Sequence, residues 1–134
     1  MLQLSKKVEY GLIALRSMAS KEGQQVLTAK EIAKAHHIPY ELLAKVLQRL
    51  AKAGIVRSIQ GVRGGYILAR KPSETTISAV ISVIEDEKPM IAECYIEGGG
   101  ACSIFDNCSL RKPLGKVQRT LNNVFESMTI AEIL

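Results

Sequence analysis

Thr28 and Pro39 restrict this chain more than any other pair of residues. Thr28 and Glu31 form a capping box, and Leu27 and Ile32 stand at the positions of a hydrophobic staple, so a helix starts there. Pro39 brings no amide hydrogen to a helix and pushes Ile38 toward extended geometry, so that helix ends by His37. Roughly two turns fit in between. Pro39 then suits the first turn of a further helix, in which Leu43, Val46, Leu47 and Leu50 make an apolar stripe. Gly54 is placed to end this helix in a left-handed cap. Tyr40, Glu41, Ala44, Lys45, Gln48 and Lys52 are left on its outer face. A short helix, a tight turn and an amphipathic helix make a helix-turn-helix.

The segments 55–59 and 66–68 read as two short strands, and Gly61, Gly64 and Gly65 permit the tight reversal that joins them. A hairpin after a helix-turn-helix is a wing, and the second helix of such a motif enters the major groove of DNA. Upstream, Val8, Leu12, Leu15 and Met18 recur at helical intervals after a cap at Ser5, predicting a helix that ends near Glu22-Gly23. Downstream, Ile77, Val80, Ile81 and Ile84 predict a fourth helix running into Glu85-Asp86-Glu87. The stretch 90–108 has no period and contains Gly98-Gly99-Gly100, so it reads as a long loop, either functional or disordered, and its cysteines argue for functional. From Pro113 onward Leu114, Val117, Leu121, Val124 and Met128 step as an a/d seam. So long a seam in a chain of 134 residues points to a dimer interface, with a helix packed on its own domain as the alternative. Thr129 and Glu132 predict a short closing helix. The expected fold is mainly α with a small β-hairpin: a winged helix-turn-helix over 1–72, then a segment 73–134 with the loop 90–108 and a dimerisation helix over about 109–128.

Charge is divided unevenly along this layout. Residues 1–70 carry 12 Lys or Arg against 4 Glu, a net +8, whereas residues 71–134 carry 6 basic and 9 acidic residues, a net −3. The front half is suited to a polyanion such as double-stranded DNA. At 47% hydrophobic, the chain has material for a core, which excludes wholesale disorder. No apolar run approaches the roughly 18 residues of a membrane span, and residues 1–15 lack a signal-peptide pattern, so the expected compartment is the cytoplasm. No nucleophile with a partnered histidine is evident, and no Lys-Ser or Lys-Thr follows the wing glycines, which argues against an enzyme and against a nucleotide loop.

All three cysteines, Cys94, Cys102 and Cys108, fall in the loop. In a reducing compartment such clustering reads as an iron-sulfur site, a zinc site in want of a fourth ligand, or a redox-thiol switch. An iron-sulfur carrier protein would use the same cysteines but would leave the basic front half unexplained. His36 and His37 fall in the turn of the helix-turn-helix, where a turn-tolerant polar residue is expected.

Leu4-Ser5 with Tyr10, the wing Gly61-Val62-Arg63-Gly64-Gly65-Tyr66 and the three cysteines together resemble the Rrf2 family of bacterial transcription regulators, in particular its IscR-like and NsrR-like branches, over nearly the whole chain. The resemblance implies a sequence-specific, homodimeric DNA-binding regulator that senses iron-sulfur status, redox state or nitric oxide, with a cluster-free regulator of the same type that senses through its thiols or a metabolite as the alternative. It implies an iron-sulfur cluster, two-iron or four-iron, on Cys94, Cys102 and Cys108. Seven residues separate Cys94 from Cys102, two more than in the best-known members. The histidine ligand of one branch is replaced by Arg111, which stays protonated and cannot ligate. Glu9, supplied by the first helix of the opposite subunit, is then the candidate fourth ligand, with Asp106, His36 or His37 behind it. For DNA the candidates are Thr28, Tyr40, Glu41, Lys45, Gln48, Arg49, Gln60 and Arg63. For the dimer they are Leu114, Val117, Leu121 and Val124.

Overall fold

Helix α1, Lys6–Met18, begins where the Ser5 side chain accepts the amide hydrogen of Val8 at 3.2 Å. It stops earlier than its apolar spacing predicts. The Met18 carbonyl accepts from the Gln25 amide at 3.1 Å. The computed structural model describes residues 2–19, 25–95 and 102–134, and the expected end at Glu22-Gly23 lies outside them.

The capping box forms as the spacing requires: Glu31 N–H donates to the Thr28 hydroxyl at 3.1 Å, and Thr28 N–H donates to the Glu31 carboxylate at 2.9 Å. Helix α2, Ala29–His36, ends at His37, whose φ of 54° is left-handed. Helix α3, Tyr40–Lys52, buries Leu43, Val46, Leu47 and Leu50 and is followed by Gly54 at φ 76°. Strands β1, Val56–Ile59, and β2, Gly65–Leu68, pair antiparallel with Val56 opposite Leu68 and Ile59 opposite Gly65. Leu27 and Tyr66 exchange amide-to-carbonyl bonds of 3.0 and 2.7 Å, which fastens the hairpin to the segment just before α2.

Helix α4, Ile77–Glu85, starts on Thr76 and ends at Asp86, also left-handed at φ 58°. The loop that follows holds single turns of 3-10 helix at Glu93–Tyr95 and Phe105–Asn107. Helix α5, Arg111–Ser127, packs on α4. The closing element is a 3-10 turn, Ile130–Ile133, with the Thr129/Glu132 capping box in place. Ile77 N–H donates to the Met128 carbonyl and Ile130 N–H to the Thr75 carbonyl, both at 2.9 Å, around a bridge between Thr76 and Thr129.

One apolar core joins these parts. Val80, Ile81, Ile84 and Ile130 pack in the same cluster as Leu15, Met18, Leu43 and Leu47, so α4 and the last turn complete the core begun by the first three helices. Arg49 adds a polar joint, because its guanidinium donates to the Ile84 carbonyl and pairs with Asp86. The Ser5 hydroxyl donates likewise to Glu85. The C-terminal end of α4 is thereby held to both α1 and α3.

Candidate functional site

Because α3 buries one stripe, its opposite face is free by geometry. Tyr40, Glu41, Lys45 and Gln48 are all exposed there. The Lys30 ammonium of α2 sits 5.9 Å from the centre of the Tyr40 ring, so the paired helices share a cationic and aromatic edge. Arg63 is exposed at the wing, and Gln60 donates to the Ser58 hydroxyl at 3.3 Å. No acidic residue occurs between Glu41 and Glu74, which leaves α3 beyond its first turn and the whole hairpin uniformly basic. Two of the sequence-derived candidates are differently employed. Thr28 spends its hydroxyl on starting α2, and Arg49 spends its guanidinium on the end of α4.

The three cysteines, separated in sequence, line one cavity of about 220 Å³ together with Ala92, Glu93, Leu110, Arg111 and Leu114. Each is a free thiol and partly buried. Among the described residues, no three His, Cys, Asp or Glu side chains converge as ligands of a single metal ion. A cluster spreads its attachment over several irons, so thiols arrayed around a small cavity suit it better than they suit one tetrahedral ion. Glu9 does not line this cavity in its own chain. It stands partly exposed on α1, paired with the Lys6 ammonium at 2.7 Å.

The walls of the cavity are braced by side chains that the sequence reading did not assign. The Arg111 guanidinium lies 4.2 Å from the centre of the Phe105 ring and donates to the Phe105 carbonyl at 3.1 Å. The Tyr95 hydroxyl donates to the Arg111 carbonyl at 2.6 Å. Loss of water around that hydroxyl, and then the nearby Cys94 thiol, hold the Tyr95 pKa above its ordinary value. Gln118, only 5% exposed, accepts from Ile91 N–H at 2.8 Å and donates to the Pro89 carbonyl at 2.7 Å and to Asn122 at 2.9 Å. The spacing from Leu114 to Gln118 and Phe125 places Gln118 on the inner face of α5, but a search for apolar residues passes over it.

The remaining candidates divide between two faces of α5. Leu114 and Leu121 are half-buried, while Val117 and Val124 stand 48% and 44% exposed. Leu121 and Phe125 border an apolar cavity of about 460 Å³ that reaches Leu2, Leu4, Met90 and Ile91. Of the 17 residues in α5, only Gly115 and Gln118 are fully buried within this chain.

The sequence model of the family described as Rrf2, iron-dependent transcriptional regulator, matches residues 4–134. The HTH-type transcriptional regulator NsrR of Geobacillus kaustophilus is 30% identical over 133 residues, spanning 99% of this chain and 90% of its own. The solved structure of CymR, the global cysteine regulator of B. subtilis, matches with a TM-score of 0.76 at 25% identity, over 99% of this chain and 96% of that one. The structure of T. potens IscR matches with a TM-score of 0.75 at 29% identity, over 98% and 85%.

Proposed function

This chain belongs to the Rrf2 family and is a DNA-binding transcription regulator, and from that premise we propose that it acts as a cytoplasmic homodimer whose three cysteines hold an iron-sulfur cluster. The observation that carries this reading is the single cavity lined by Cys94, Cys102 and Cys108. Glu9 from the second copy would complete the ligand set. Carboxylate oxygen is a harder donor than thiolate and makes for a labile site, which suits a sensor. When bound, the cluster supplies a centre sensitive to redox state, nitric oxide or iron-sulfur supply.

The chain's own residues link such a site to DNA. Gln118 ties the start of the loop to α5, and Tyr95 and Arg111 tie its two ends to each other. Arg49 ties the end of α4, where the loop departs, to α3. Tyr40, Glu41, Lys45 and Gln48 read base edges in the major groove, and Arg63 contacts the flanking DNA. Val117 and Val124, with the half-buried Leu114 and Leu121, form the seam between copies, which explains a long helix that buries so little of itself.

Anaerobic purification with a visible spectrum tests the cofactor. The parent protein should be coloured and contain iron with acid-labile sulfide, and Cys102→Ala should lose both. Full iron and sulfide in Cys102→Ala would overturn the assignment. A second reading, thiol sensing without a cluster, is favoured by the likeness to CymR. It predicts a colourless protein whose DNA affinity changes when its thiols are oxidised and recovers on reduction.

A further inference from the structure

Cys94, Cys102 and Cys108 sit on three separate pieces of chain, and each piece is fastened to Arg111. Cys94 is the middle residue of the turn Glu93–Tyr95, whose Tyr95 hydroxyl donates to the Arg111 carbonyl at 2.6 Å. The Cys102 carbonyl accepts from Phe105 N–H at 3.3 Å, and the Phe105 carbonyl in turn accepts from the Arg111 guanidinium at 3.1 Å. Cys108 precedes Arg111 by three residues, and both line the cavity. None of these contacts uses a sulfur atom, so they hold whatever the thiols bind.

Nothing local asks for arginine at this position. It opens α5, where a cation opposes the helix dipole, and the first turn holds no acid to offset it. Arginine suits the tertiary task instead. Its planar guanidinium lies 4.2 Å from the centre of the Phe105 ring while donating to the carbonyl of the same residue, a combination that an ammonium cannot match. The Tyr95 contact has its own preparation. Helical side chains lean toward the N-terminus, so the residue at i+4 overhangs the carbonyl of residue i. Four residues beyond Arg111 stands Gly115, fully buried, which leaves that carbonyl open to an outside donor. A Cβ there would lie 3.5 Å from the Tyr95 hydroxyl oxygen, so no side chain longer than alanine's fits without displacing Tyr95. A glycine inside a helix weakens it, and the seat for Tyr95 explains why α5 has one.

We infer that Arg111 is the positioning residue of the cysteine site: its backbone holds the Cys94 turn and its side chain holds the Cys102 segment, so the three thiols are set around the cavity in advance of what they bind. A cluster is then received by a prepared wall, and its loading and release need no refolding of the loop. The inference rests on the cluster reading only for what fills the cavity.

The test uses the full chain, reduced and stripped of metal with a chelator, as parent, Arg111→Gln, Arg111→Lys and Tyr95→Phe, with thermal midpoints to verify folding. Thiol labelling by an aromatic disulfide is timed, and hydrogen exchange is followed at 93–95 and 105–108. Each variant should label about tenfold faster than the parent, the effect of losing one held contact on local opening. Exchange should quicken in the two turns and stay parental in α1 to α4. Lysine should not rescue, because it keeps the charge without the stack. After anaerobic reconstitution, the variants should lose iron and sulfide to a chelator about tenfold faster than the parent. Parental labelling and exchange in either Arg111→Gln or Tyr95→Phe would overturn the inference, and so would full rescue by Arg111→Lys. Faster cluster loss with parental labelling would make Arg111 an electrostatic partner of the bound group and overturn its positioning role. Faster labelling in the variants of a parent that takes up no iron or sulfide would support the positioning role and overturn the cluster reading instead.

Discussion

Arg49 shows how far a residue's type falls short of its role. By type and by its place on α3, it counts among the candidate DNA contacts. In the fold its guanidinium reaches across to the Ile84 carbonyl and Asp86, partners 35 and 37 residues away. Long-range pairing of this kind leaves no local trace in a sequence. Arg49→Lys separates the two roles, because an ammonium keeps the charge but not the fork that engages two acceptors. The brace predicts weaker DNA binding with an unaltered salt slope and a modest loss of stability, about 1 kcal/mol for a partly exposed pair. A retained affinity, measured by fluorescence anisotropy, would return Arg49 to an ordinary surface cation. Arg111 carries the same lesson: its charge excludes it as a ligand, yet only the fold reveals its stacking on Phe105.

Helices announced themselves where caps and apolar spacing agreed. Thr28, Pro39 and Gly54 bounded α2 and α3 correctly because capping and proline effects act within a few residues. For α1 only the start is legible, from Ser5; the helix closes at Met18 with Ala19 N–H on the Leu15 carbonyl, and the expected end at Glu22-Gly23 lies outside the described residues. The cysteine cavity was half legible: the three thiols were evident as a cluster, but their shared wall with Leu110, Arg111 and Leu114 is a product of packing. The a/d count on α5 likewise mixed two faces, since Gln118 occupies an inward position that hydrophobicity alone would give to leucine. For the proposed seam the decisive variant is Leu121→Asp. Burial of a leucine between copies stabilises by roughly 1.5 to 3 kcal/mol, and a lone carboxylate there is costlier still. Sedimentation velocity should find a monomer of near-parental helix content, as Leu121 lies outside the central core. A persistent dimer would assign α5 to its own chain.

At the scale of the whole molecule, the +8 of residues 1–70 and the −3 of residues 71–134 make an electrical polarity that matches the proposed division between a DNA face and a sensing end. Binding should therefore be steeply salt-dependent, losing about 10³-fold or more between 50 and 200 mM salt if the dimer engages six to ten phosphates. A flat salt series would contradict the charged-face reading. The bonds around Thr76 and Thr129 give this polarity a mechanical counterpart. They fasten the beginning of α4 to the end of α5, while the cysteine loop joins the other ends of the same two helices. Two bars pinned at one end have one easy motion, that of tweezers. With Thr76 and Thr129 as the pivot, the three thiols lie far along the lever, against Leu110, Arg111 and Leu114 at the start of α5, so in the proposed reading a small change there would turn α5 about a fixed fulcrum rather than slide it.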